Sequence, residues 1–84
     1  MNPRVTAVTA LEDHHLLLNF SNGEQRRMDM RPYLAYGVFE RLREASFFAL
    51  AQPDHGTVCW PSGIDLDPDS AYLESMPMVQ AAAA

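Results

Sequence analysis

The chain has 84 residues, 48% apolar and 20% charged, with a net charge of −5. That length makes one small domain, which buries about 60–65% of the surface its unfolded form exposes; there is little interior for a deep substrate cavity, and a homodimer is a natural way to bury more. The composition excludes a disordered chain, no apolar run approaches the roughly 18–20 residues of a membrane span, MNPRVTAV lacks the apolar centre of a signal peptide, and a lone Cys59 excludes an internal disulfide or a CxxC zinc site, so the chain reads as cytoplasmic.

Val5 to Leu11 is rich in β-branched residues and predicts a strand, followed by a polar turn at Glu12-Asp13. His15 to Phe20 predicts a second strand, and Ser21-Asn22-Gly23 is the strongest turn signal in the chain. A three-residue loop with Gly23 in the left-handed region pairs Phe20 with Glu24, Leu18 with Arg26 and Leu16 with Met28. This register gathers Leu16, Leu18, Met28 and Met30 on one face, so it is preferred over the two-residue Asn-Gly turn. Arg26 shares that face near the hairpin end, where its stem is expected to snorkel outward.

Arg31-Pro32 stops the third strand, because proline cannot donate to the ladder. Pro32 suits the first turn of a helical PYLAYG, which Gly37 interrupts. VFERLREA then predicts a short amphipathic helix with Val38, Phe39 and Leu42 on one side. Phe47 to Ala51 reads as a strand, Pro53-Asp54-His55-Gly56 as a turn, Thr57 to Trp60 as the returning strand, and Pro61-Ser62-Gly63 as its end. Pro68 opens a last helix, PDSAYLESM, with Tyr72 and Leu73 inward. The expected fold is α+β: a three-stranded antiparallel meander, a short helix, a β-hairpin and a C-terminal helix in one domain over residues 1–78. The alanine-rich tail at 79–84 is expected to be disordered.

Asp65, Asp67 and Asp69 stand at alternate positions and match the first half of an EF-hand loop. That loop requires Gly at its sixth position and Glu at its twelfth, where this chain has Ser70 and Met76. The better reading is structural: Asp67 or Asp69 caps the last helix, and Asp65 ties the Pro-Ser-Gly-Ile turn. His14 and His15 are adjacent on a strand and point to opposite faces, so they do not bind one metal together. Cys59 lacks an orienting base and reads as a half-buried core residue. Trp60 is either a core plug or a half-exposed interface anchor. The glycines fit no phosphate-cradling pattern and no G-x-S-x-G elbow. No catalytic residue, metal ligand or cofactor is assigned.

The charge is uneven along the chain. All six basic residues are arginines and fall within residues 1–43, against five acids. Residues 44–84 hold six acids and no base. Nucleic-acid binding rests on a basic footprint that displaces counterions, and this chain lacks one. Its acidic half suits a basic protein partner.

NGE at 22–24, PYL at 32–34, GVFERL at 37–42, GTV-x-WP at 56–61, G-x-D at 63–65 and P-D-x-x-Y at 68–72 resemble a small bacterial domain-of-unknown-function family, number 2442. The likeness covers residues 4 to 75, and its signature positions include Tyr33, Phe39, Trp60, Pro61, Gly63, Asp65, Pro68, Asp69 and Tyr72. Ser62 stands where that family commonly has Asn. The resemblance implies an α+β fold with a small antiparallel sheet and no established activity. Some relatives look joined to a helix-turn-helix domain, and others resemble members of toxin–antitoxin pairs. The expected function is a non-enzymatic protein-interaction module, dimeric and antitoxin-like, without direct nucleic-acid or membrane binding. One alternative is a regulatory or ligand-sensing domain with a pocket between sheet and helices near Trp60 and Tyr33. The other is a small enzyme drawing on Asp65, His55 and Arg31.

Overall fold

The computed structural model describes residues 2–78, so the tail at 79–84 lies outside the described residues. The fold is α+β with two antiparallel sheets. The first sheet begins with β1 (Val5–Ala10), β2 (His15–Phe20) and β3 (Gln25–Asp29). The preferred hairpin register is present: Leu16 faces Met28, Leu18 faces Arg26, and the Phe20 amide bonds the Glu24 carbonyl at 2.9 Å. Gly23 sits at φ +89°, a conformation that glycine adopts without the penalty a Cβ imposes. Leu16, Leu18, Met28 and Met30 are all buried, as the alternation requires.

A bulge sets the phase of β1. Val5 pairs with Phe20 but Ala7 pairs with Asn19, so Thr6 is the extra residue, and its hydroxyl donates to the Asn19 carbonyl at 3.2 Å. The inward positions therefore switch from Val5 to Val8 and Ala10, which face Leu18 and Leu16.

After β3 the chain is not an amphipathic α-helix. Two 3-10 helices, Arg31–Ala35 and Gly37–Arg43, lead into a single α-turn, α1 (Ala45–Phe48). At three residues per turn, Phe39 and Leu42 share the inward ridge, and Val38 turns outward and is 65% exposed. The expected strand at Phe47 to Ala51 is likewise absent: Phe47 and Phe48 are consecutive and both buried, which a pleated strand with one inward face does not allow.

The second sheet holds β4 (Gln52–Asp54), β5 (Thr57–Trp60) and β6 (Ile64–Asp65), in that order. The turn between β4 and β5 is shorter than expected, only His55 and Gly56, both at positive φ. This is the primed geometry whose twist matches a two-residue hairpin. It docks on the first sheet, with the Val5 amide donating to the Gly56 carbonyl at 3.0 Å. Pro61–Gly63 makes a 3-10 turn with Ser62 at φ 72°, and the Ser62 hydroxyl accepts from Arg41 at 3.1 Å.

α2 (Pro68–Leu73) starts as expected: Asp67 is its N-cap and accepts from the Ser70 amide at 3.0 Å, and Pro68 opens the first turn. Ala71 is its buried residue and Tyr72 packs against the core, whereas Leu73, expected inward, is 66% exposed. The chain then adds β7 (Met76–Pro77), which pairs with β3 and completes a four-stranded first sheet in the order β1-β2-β3-β7. The inner faces of both sheets, with Leu42, Phe47, Phe48 and Ala71, form one apolar cluster. Among the described residues no helix is long and apolar enough to cross a membrane.

Candidate functional site

The signature residues are divided among three places. The first is a polar latch between β3 and the C-terminal segment. The Tyr72 hydroxyl donates to Glu24 at 2.5 Å, and the Arg26 guanidinium lies 4.3 Å from the Tyr72 ring centroid. Arg26 also donates to the Ser75 hydroxyl at 2.8 Å and to its carbonyl at 2.6 Å. Arg26 does not snorkel outward: its side chain is 11% exposed, because bonds to Ser75 and Glu24 satisfy the charge beneath the segment. Nearby, the Tyr33 hydroxyl donates to Glu74, and the Tyr33 ring meets Phe39 edge-on at 5.6 Å. The bonds from Tyr72 and Asn22 hold the Glu24 carboxyl below its usual pKa, and the bond to Glu24 raises the Tyr72 phenol.

The second place is the core. Trp60 is buried, donates from its indole to the Phe48 carbonyl at 3.0 Å and packs on the Phe48 ring at 6.0 Å. That is the plug and not the interface anchor. The cavity at Trp60 is lined by Leu50, Gln52, Asp54, Cys59 and Pro61, so it does not join Tyr33 in the expected pocket.

The third is the outer face of the second sheet. Gln52 pairs with Cys59 and Cys59 with Asp65, so these three form one row across β4, β5 and β6. Alternation adds Asp54, two residues from Gln52, to the same side. Val58, Trp60 and Ile64 take the buried opposite side. The row borders a groove of about 270 Å³ walled by Leu50, Gln52, Asp54, Cys59, Trp60 and Pro61. The Cys59 thiol is half-buried, 3.8 Å from the Asp54 carbonyl. Burial, then the Asp54 and Asp65 carboxylates, push its pKa above the ordinary thiol value. A thiol so placed stays protonated and is a poor nucleophile.

The remaining expectations resolve residue by residue. Asp65 is exposed and makes no side-chain hydrogen bond to the turn it was expected to tie; Arg41 holds that turn. Asp69 accepts instead from the Asn2 side chain at 3.1 Å. His14 meets Phe48 edge-on at 5.0 Å and contacts the Arg43 carbonyl, whereas His15 lies 3.7 Å from Asp29. Arg31 is clamped on Asp29 at 2.9 and 2.8 Å, at the end of the first sheet where His15 pairs with Asp29. His55 is at the other end, its carbonyl accepting from Arg4 and its ring 3.6 Å from Asp54. Arg31 therefore does not converge with His55 and Asp65. Among the described residues no group of three or more His, Cys, Asp or Glu side chains is placed to hold a metal ion.

With this geometry in view, the family's sequence profile matches residues 5–76, from β1 to the start of β7. The chain belongs to the protein-of-unknown-function family DUF2442. Comparison with curated proteins and with solved structures gave no match. The DUF2442 match spans the latch, the core and the outer row together. Sequence reasoning missed Arg26 and Ser75 as a bonded pair. The available signal was the register, which placed a guanidinium on an apolar face where it required acceptors.

Proposed function

We propose that this DUF2442 protein is a protein-interaction module and that the outer face of its second sheet receives a basic partner. The observation that carries the reading is the row Gln52–Cys59–Asp65 with Asp54 beside it: Gln52, Asp54 and Cys59 line a groove, and Asp65 is exposed next to Cys59. Among the described residues no arginine pairs with Asp54 or Asp65; the one basic group beside the row is His55, whose ring nitrogen lies 3.6 Å from the Asp54 carboxylate. Arg26 is bonded to Glu24 and Ser75, Arg31 to Asp29, Arg41 to Ser62, Arg43 to the Leu34 carbonyl and Arg4 to the His55 carbonyl, and Arg27, the sixth, is exposed on β3 of the other sheet between Leu17 and Met76. An acidic face with no arginine on it raises the association rate of a positively charged surface and rejects acidic competitors. The protonated Cys59 thiol and the separation of Arg31 from His55 and Asp65 support binding over catalysis. In the antitoxin-like version the partner is a small basic protein, and the encounter takes place in the cytoplasm.

The test is purification of the tagged chain from its native host at physiological protein concentration. A stoichiometric partner that leaves at high salt is the expected result. A chain recovered alone at every salt concentration contradicts the reading.

A further inference from the structure

The segment between the two sheets carries a second exposed face, which meets the second sheet where Arg41 donates to the Ser62 hydroxyl. The three-residue period of Gly37–Arg43 leaves one ridge for the core, Phe39 and Leu42, and two ridges for the outside. The outward ridges hold Val38 with Arg41, and Glu40 with Arg43. Tyr36 and Val38 are 63% and 65% exposed. Glu40, Arg41, Arg43 and Glu44 wall an open hollow of about 580 Å³ beside them. Arg41 lies over the Phe47 ring at 4.3 Å and Arg43 donates to the Leu34 carbonyl, so both guanidiniums are held in place by the body. Glu40 and Glu44 make no ion pair among the described residues, although arginines stand next to them in sequence.

We propose that this strip, Tyr36 to Glu44, is where a second copy of the chain binds. The charge pattern chooses the occupant. A stable dimer interface covers about 800 Å² per protomer, a large share of the 5024 Å² surface of this chain. Centred on the second-sheet row, such an area sets Asp54 and Asp65 of one copy against the same carboxylates of the other. The strip carries two acids and two arginines, so a twofold axis through it opposes unlike charges, Glu40 of one copy against Arg43 of the partner subunit. The exposed Tyr36 and Val38 supply the apolar contact.

Sedimentation equilibrium of the full chain, from micromolar to submillimolar concentration, tests this directly. The wild-type chain is expected to dimerise, Val38→Asp and Glu40→Arg to raise the dissociation constant by at least about tenfold, and Leu73→Asp, on an equally exposed leucine of α2, to leave it unchanged. Because Val38 is exposed, the substitution leaves the core intact, and circular dichroism verifies the fold. In a Cys59→Ser background, Val38→Cys is expected to form an interchain disulfide under mild oxidation and Leu73→Cys is not. A wild-type monomer throughout, a dimer indifferent to both strip substitutions, or a dimer broken by Leu73→Asp and not by Val38→Asp overturns the proposal.

Discussion

Arg26 on β3 and Ser75 ahead of β7 are joined by two bonds from one guanidinium, 2.8 Å to the hydroxyl and 2.6 Å to the carbonyl. The pair closes the C-terminal segment over the first sheet, and Ser75 is only 2% exposed. Arg26→Ala removes a charged donor from two buried acceptors, a loss of about 2–3 kcal/mol. Arg26→Lys recovers only part of it, since an ammonium cannot reproduce the fork or lie flat on Tyr72. Urea unfolding of the three proteins gives the order wild type, Lys, Ala.

The same latch, with the Asp29–Arg31 pair at the far end of β3, makes stability depend on pH at both ends. Hydrogen bonding and charge from Arg31 hold the Asp29 carboxyl well below its usual range, and bonds from Tyr72 and Asn22 lower Glu24. A depressed carboxyl contributes stability that is present above its unfolded pKa, about 4, and is lost as pH falls through the folded value. Tyr72 is raised, chiefly by its bond to Glu24, so its contribution is present below about pH 10 and is lost as pH rises through the folded value. Thermal unfolding against pH should fall off on both sides. Asp29→Asn flattens the acid limb and Tyr72→Phe the alkaline one.

Gly56 and Gly23 both sit at positive φ, but only Gly56 is crowded. A Cβ at Gly56 would lie 2.4 Å from the Arg4 Cδ, whereas one at Gly23 meets nothing within 4 Å. Gly23→Ala therefore costs the backbone term alone, about 1–2 kcal/mol. Gly56→Ala adds displacement of Arg4 from the His55 carbonyl. A double-mutant cycle with Arg4→Ala should show the two sites coupled at Gly56 and independent at Gly23.

Cys59 reacts slowly because burial and two carboxylates keep it a thiol. Its alkylation rate should inflect above the pH expected of a free thiol, about 8.5. Asp54→Asn with Asp65→Asn moves that inflection down. An inflection at or below the free value contradicts the geometry of the row.

The first hairpin was legible because Gly23 suits a three-residue loop, and only that register gathers Leu16, Leu18, Met28 and Met30 on one face although Leu17 is apolar too. The start of α2 was legible for a similar reason: Asp67-Pro68 carries cap and first turn in adjacent residues. The region from Val38 to Ala51 was not, because a seven-residue 3-10 helix repeats every three residues, too short to separate from a 3.6 period. A 3.6-residue period puts Val38 inward on that account. Phe47 and Phe48 look like strand residues by composition, yet their joint burial belongs to a helical turn. β6 and β7 are two residues each, too short to show any period. Of the outer row, Asp65 stood out in sequence, but its alignment with Cys59 and Gln52 exists only once β6 pairs with β5.

The most direct measurement is the affinity of the co-purified partner for the wild-type chain and for a chain carrying Asp54→Asn and Asp65→Asn, each titrated at low and high salt. The account predicts binding weakened by about tenfold at low salt, a shallower salt dependence and an unchanged fold. Equal affinity and equal salt dependence in the two proteins would contradict it.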